Sequence, residues 1–178
     1  MKFKTLDNTI LRGFLFGLSL CVFAACGDDT TEEPAPAGEE EGEESPEEEA
    51  CEHMVEGPST AATAGATPDA AQDITAEHTR VDITLVDLES GEKGGSVTYE
   101  AAEEAEAAIF LNKDIPLVIT DAQGNTLEIE GSAEVTLCDE VTVVHTVDMP
   151  LGVATLTFGP TTEADVSVVI EAGEHEDE

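Results

Sequence analysis

The sequence predicts an all-β domain, an antiparallel, jelly-roll-like β-sandwich of about seven to nine strands. Three observations point there. Apolar and polar residues alternate through most of the chain after residue 50, the period of a half-buried strand. β-branched residues dominate the alternating stretches, and they pack well on a pleated surface. Clusters of Gly, Asp, Asn and Pro break the alternation at short intervals, as a strand-and-turn fold requires.

Taken in order, "HTRVDITLV" sets Val81, Ile83 and Leu85 on one parity, and "SGEKGGS" then reads as a turn before Val97 and Tyr99. "YEAAEEAEAA" is rich in helix-forming Ala and Glu, so it reads as a strand–turn–strand or a short helical turn. "AAIFLN" carries Ile109 and Leu111, while "PLVIT" and "TLEIE" flank "DAQGN", a hairpin signal with Gly124 and Asn125 suited to positive φ. "EVTVVHTV" alternates Val141, Val143, His145 and Val147, and "GVATLTFGP" and "ADVSVVIE" complete the series. "ACEHM", residues 50–54, reads as the first strand, which would point Cys51 and His53 to the same side.

The N-terminal stretch sets the expected compartment. Lys2, Lys4 and Arg12 form a basic leader, and Gly13 to Ala25 is an apolar run too short to span a bilayer comfortably. This is the pattern of a secretory signal. The run ends in "FAAC", with Ala24 and Ala25 before Cys26. These residues resemble the lipobox of bacterial lipoproteins, which implies lipidation of Cys26 and removal of residues 1–25. An ordinary signal peptide cut near Ala25 is the alternative. The expected location is the cell envelope, lipid-anchored, at the outer membrane and facing the periplasm or the surface.

The formal net charge is −35. The signal carries Lys2, Lys4 and Arg12 against Asp7, so the chain without it reaches −35 − 2 = −37. That excludes nucleic acid, whose phosphates need Lys and Arg, and an anionic lipid surface bound through protein charge. Membrane attachment falls to the lipid, and cations are the favoured small partners. Residues 26–50 are acidic, contain Pro34, Pro36 and Pro46, and hold no large apolar residue, so they read as a disordered tether. Residues 51–172 are assigned to the sandwich. The acidic tail 173–178, with His175, reads as frayed or as a weak cation binder.

Cys51 and Cys138 remain as two thiols in an oxidising compartment, and a disulfide between them is expected. A soft copper(I) cluster of the two cysteines with Met54 is the alternative.

The chemistry-bearing candidates are His53, His78 and His145. Three imidazoles leave an open position on zinc and also suit copper or nickel. Glu52, Glu77 and Met54 are further candidate donors or supporting groups. Against convergence, His145 shares the parity of Val141, Val143 and Val147, whereas His78 shares that of Arg80, Asp82 and Thr84. Motifs of other chemistries are absent: there is no G-x-S-x-G, H-E-x-x-H, Walker loop or D-x-D-x-D-G calcium loop. Tyr99, Phe110 and Phe158 are the only aromatics after the signal, which disfavours a carbohydrate platform.

"PLVITDAQGNTLEI" and "GVATLTFGP" resemble fragments of bacterial pre-peptidase C-terminal domains and related secreted sandwiches, over residues 79–170. The resemblance implies a jelly-roll-like sandwich and carries over no functional residue. The expected function is a lipid-anchored binding module that captures a divalent transition metal, zinc or copper, through its histidines. The alternative is a non-catalytic structural or protein-interaction lipoprotein with an envelope partner and no metal site. Neither is an enzyme, and a hydrolase is the least supported class.

Overall fold

The computed structural model describes residues 45–172. The signal, Cys26, residues 26–44 of the expected tether and the tail with His175 lie outside the described residues.

The domain is an all-β sandwich of two mixed sheets, with one α-helix among the described residues. The helix α1 (Pro46–Val55) comes first. Then follow β1 (Ser59–Thr63), β2 (Gln72–Ile74), β3 (Arg80–Thr84), β4 (Val86–Asp87), β5 (Lys93–Ala101), β6 (Ala105–Leu111), β7 (Leu117–Thr120), β8 (Ile129–Glu134), β9 (Val143–Met149), β10 (Gly152–Thr161) and β11 (Asp165–Ala172). One sheet has the order β1-β3-β11-β6-β9-β8, and the other has β2-β5-β10-β7 with β4 also on β5. "YEAAEEAEAA" forms the end of β5, a turn and the start of β6, so pairing on the sheets prevails over local helix propensity.

The described residues hold eleven strands rather than seven to nine, and β7 and β8 lie in different sheets rather than pairing as a hairpin across "DAQGN". Two further features differ from the sequence expectation. β1 pairs with β3 in parallel, and β2 pairs with β5 in parallel. The chain leaves the first sheet after β1, adds β2 to the edge of the second, and returns as β3. A crossover of this kind is what parallel neighbours need.

The second difference is "ACEHM", which is helix rather than strand. Ser45 caps the helix: the Glu48 amide N–H donates to Ser45 Oγ at 3.3 Å, and the Ser45 amide donates to the Glu48 carboxylate at 3.0 Å. Pro46 fills the first turn, where its missing N–H costs nothing. This is a capping box, so residues 46–50, assigned by composition to the tether, are the first half of α1. Cys51 and His53 therefore lie about 200° apart around a helix and do not share a side.

Inward residues from both sheets build the main core, among them Val81, Ile83, Val97, Ile109, Leu156, Phe158, Val168 and Ile170. A second apolar cluster covers the outer face of the six-stranded sheet. There Phe110 and Val169 meet Ala50, Cys51 and Met54 of α1, with Val135 and Val141. Cys51 is bonded to Cys138, in the segment between β8 and β9, with the Cα atoms 6.0 Å apart. Arg80 holds the other end of α1, donating from Nη1 to the Met54 carbonyl at 2.7 Å. The helix is thus fixed to the sheet by a covalent bond, a small apolar patch and a charge-assisted hydrogen bond at its C-terminal carbonyls.

Candidate metal centre

Where α1 crosses the end of β11, three side chains from distant parts of the sequence meet. On β11, Val166, Val168 and Ile170 point into the main core, while Val169 and Glu171 point outward, under α1. Glu171 is only 3% exposed. His53 projects from the last turn of α1. His78 comes from the loop before β3, and that loop is pinned to β11 by two backbone bonds, Ile170 N–H to Ala76 C=O at 2.9 Å and His78 N–H to Ile170 C=O at 3.4 Å.

The donor atoms of His53, His78 and Glu171 all lie within 4.8 Å of one another. His78 Nδ1 is 2.7 Å from Glu171 Oε2, and His53 Nε2 is 4.0 Å from Oε1. These two separations bracket the ~3.3 Å expected between two donors bound ~2.0 Å from one tetrahedral ion. The ring centroids of the two histidines are 5.6 Å apart, in an edge-on arrangement.

Hydrogen bonding leaves this cluster unsatisfied. Despite the short ion-pair distance to His78, neither Glu171 oxygen has an aligned hydrogen-bond donor, and His53 Nδ1 is buried without a partner as well. A buried carboxylate in that condition is costly. Its environment says the same: the Glu171 carboxyl is pushed up to about 7, by burial first and by the charges of Glu49 and Glu77, against the pull of the nearby His78. A cation placed between the carboxylate and the imidazoles removes that penalty.

Two backbone details keep the donors in place. His78 has φ of +48°, the left-handed region that non-glycine residues seldom occupy and that collects at functional sites. Gly57 packs against His53 so closely that a Cβ there would lie 2.6 Å from the His53 Cα and 3.0 Å from its Nδ1. Gly57→Ala is therefore expected to displace the end of α1 and His53 with it, costing about 1–3 kcal/mol in denaturant unfolding. An unchanged unfolding midpoint would show that this contact yields freely.

The structure brings together two of the three histidines expected from the sequence. His145 is elsewhere. It lies on β9 with the inward residues Val143 and Val147, on the opposite face of the sheet from Glu171. Its Nδ1 is 2.7 Å from Ser132 Oγ on β8, and burial lowers its pKa against a weaker opposing effect of Asp114. Its parity with the valines decides its place: it is a core histidine. Glu171 takes the third position. Its signal was present in "VVIEA": an apolar Val169 on the outward parity implies a covered outer face, and Glu171 shares that parity.

The other candidate donors fall away. Met54 is 3% exposed and packed in the second apolar cluster. Cys51 and Cys138 are consumed by their disulfide, so a copper(I) cluster with Met54 has no thiolates. Glu52 is exposed and one residue from His53, about 100° around the helix. Glu77 lines a small cavity with Tyr99, Ala101 and Met149. A second acidic trio, Glu106, Glu130 and Asp148, is fully on the surface, where carboxylates commonly gather without an ion.

Compared with protein-family models and with curated proteins, the sequence gave no match.

Proposed function

We propose that the protein is a lipid-anchored lipoprotein of the cell envelope whose sandwich captures a divalent transition metal, zinc or copper(II), at His53, His78 and Glu171. One observation carries the metal reading: a buried carboxylate with no aligned donor, faced by two imidazole nitrogens from separate segments. Two nitrogens and an oxygen suit ions of this class. The acidic surface raises the local cation concentration. The "FAAC" stretch with Cys26 supports the lipid anchor, and the outer-membrane location is part of the same proposal. The role is binding, with no catalytic step.

The test is zinc titration by calorimetry on the purified protein in excess magnesium, which occupies weak carboxylate sites. Wild type should bind one ion. His53→Ala and His78→Ala should each weaken binding by ~10-fold or more, judged against the loss seen on altering a ligand's support. His145→Ala should bind as wild type does. Equal binding by all four proteins, or none by wild type, would leave the structural reading. In that reading the His78–Glu171 ion pair serves only to hold the loop on β11, and an envelope protein is the partner.

A further inference from the structure

Three protein donors leave one position of a tetrahedral ion to be filled. Its occupant decides what kind of site this is: a water there gives an open site, and a fourth side chain gives a closed one. Two carboxylates act on Glu171 through their charge, Glu49 and Glu77. Their positions differ.

Glu49 is on α1, four residues before His53, and is half-buried. Residues four apart on a helix lie on one face with Cβ atoms about 5–6 Å apart. Glu49 and His53 therefore project side by side over the end of β11, and Glu171 lies beneath them. Glu77 instead turns toward the cavity it shares with Tyr99, whose pKa is raised by burial and by the charges of Glu77 and Glu171.

From this placement we infer that Glu49 is the fourth ligand, so that the ion sits in a closed sphere of His53, His78, Glu49 and Glu171. The inference rests on the metal reading above. Glu49 is outside the three groups that already lie within 4.8 Å of one another. The charges of Glu49 and Glu171 repel each other, and a cation between them removes the repulsion. A glutamate has three side-chain torsions with which to turn toward the ion.

A closed sphere has a functional meaning. Catalytic zinc sites keep a position for water or substrate, whereas sites that hold the ion permanently do not. Glu49 makes this a retention site: the ion is held, and no substrate is activated on it. The carboxylate pair also brings the bound set close to neutrality, since a divalent cation meets two negative ligands and two neutral imidazoles. Both helix-borne ligands, Glu49 and His53, then arrive on α1 as one unit.

The test is cobalt(II) substitution in the full-length protein, read by visible absorption, with zinc affinity measured in parallel. Four-coordinate cobalt(II) absorbs strongly, whereas five- and six-coordinate cobalt(II) absorbs weakly. Wild type should give the strong spectrum. Glu49→Gln should shift that spectrum, because water takes the vacated position, and lower zinc affinity ~10-fold or more. Glu52→Gln, which removes the same charge from the exposed side of the same helix, should change neither. A wild-type spectrum and affinity in Glu49→Gln would overturn the inference and leave a three-ligand site. A weak spectrum in wild type would overturn it likewise. If cobalt and zinc do not bind wild type at all, the metal reading fails first and the fourth ligand falls with it.

Discussion

Glu171→Gln is expected to make the metal-free protein more stable at pH 8 and to remove its metal site at the same time. The carboxyl titrates near 7 in the folded protein, above its ordinary 4.5, chiefly because it is buried. Between those values the folded chain holds a proton that the unfolded chain has released. Stability therefore falls as pH rises through that window and stays reduced above 7. The cost is about 3 kcal/mol, at ~1.4 kcal/mol for each tenfold change in proton affinity over the rise from 4.5 to about 7, a value that already includes the pull of His78. Glutamine keeps the shape without the charge, so its stability should be level over the same window. At pH 8 with a chelator it should melt several degrees above wild type. With zinc the order reverses, because an ion at ~1,000 times its dissociation constant adds ~4.1 kcal/mol to the protein that binds it and nothing to the one that does not. Crossing of the two melting curves is the signature. If the glutamine variant is less stable than wild type with and without zinc, Glu171 is a structural ion-pair partner of His78.

The second large effect concerns the helix. Replacing both Cys51 and Cys138 by alanine opens a loop with a sequence separation of 87, for which chain entropy alone gives about 4.5 kcal/mol and native bridges typically give about 2–5. Part of that loss should be local. α1 has ten residues and buries only Ala50, Cys51 and Met54, and isolated helices shorter than about 12–15 residues are marginal in water. Without the bridge, α1 should detach at lower denaturant than the sheets unfold, and zinc binding should be lost in that first step. Hydrogen exchange on residues 46–55 beside that on β6 and β11 measures the order of events. Equal protection of all three segments in the double variant would show that the apolar patch and Arg80 suffice to hold the helix.

These expectations depend on parts of the molecule that were legible in the sequence to different degrees. The sandwich was clear because period-two alternation survives in β3, β9, β10 and β11, and the Cys51–Cys138 bridge followed from thiol count and the expected compartment. The helix was missed although Ser45, Pro46 and Glu48 spell a capping box, because the acidic composition around them drew the whole stretch into the tether. That error had a geometric consequence. Read as a strand, "ACEHM" sends Cys51 and His53 the same way. As a helix it sends Cys51 toward the sheet and Cys138, and frees His53 to lean over β11. Convergence of His53 with His78 was not derivable from spacing, since it depends on the crossover that sets β1 beside β3 and brings the 76–79 loop to β11. His145 was assigned to its true environment by the parity of its valine neighbours and to the metal site only by its rarity. Parity was the better guide, because it reports a physical face.

The bridge between Cys51 and Cys138 also sets the path that tension takes through the domain. A pull on the chain ahead of Ser45 can unwind only the first turn and a half of α1 before it meets Cys51. From there the force passes covalently to Cys138 and enters β9, inside the six-stranded sheet. His53 lies beyond that point along the chain, and so do β1 and the 76–79 loop. They hang beside the route of the force and carry none of it. A domain tugged from its N-terminal side would thus stretch ahead of its staple and take Glu49 with it, while His53 and His78 stayed slack.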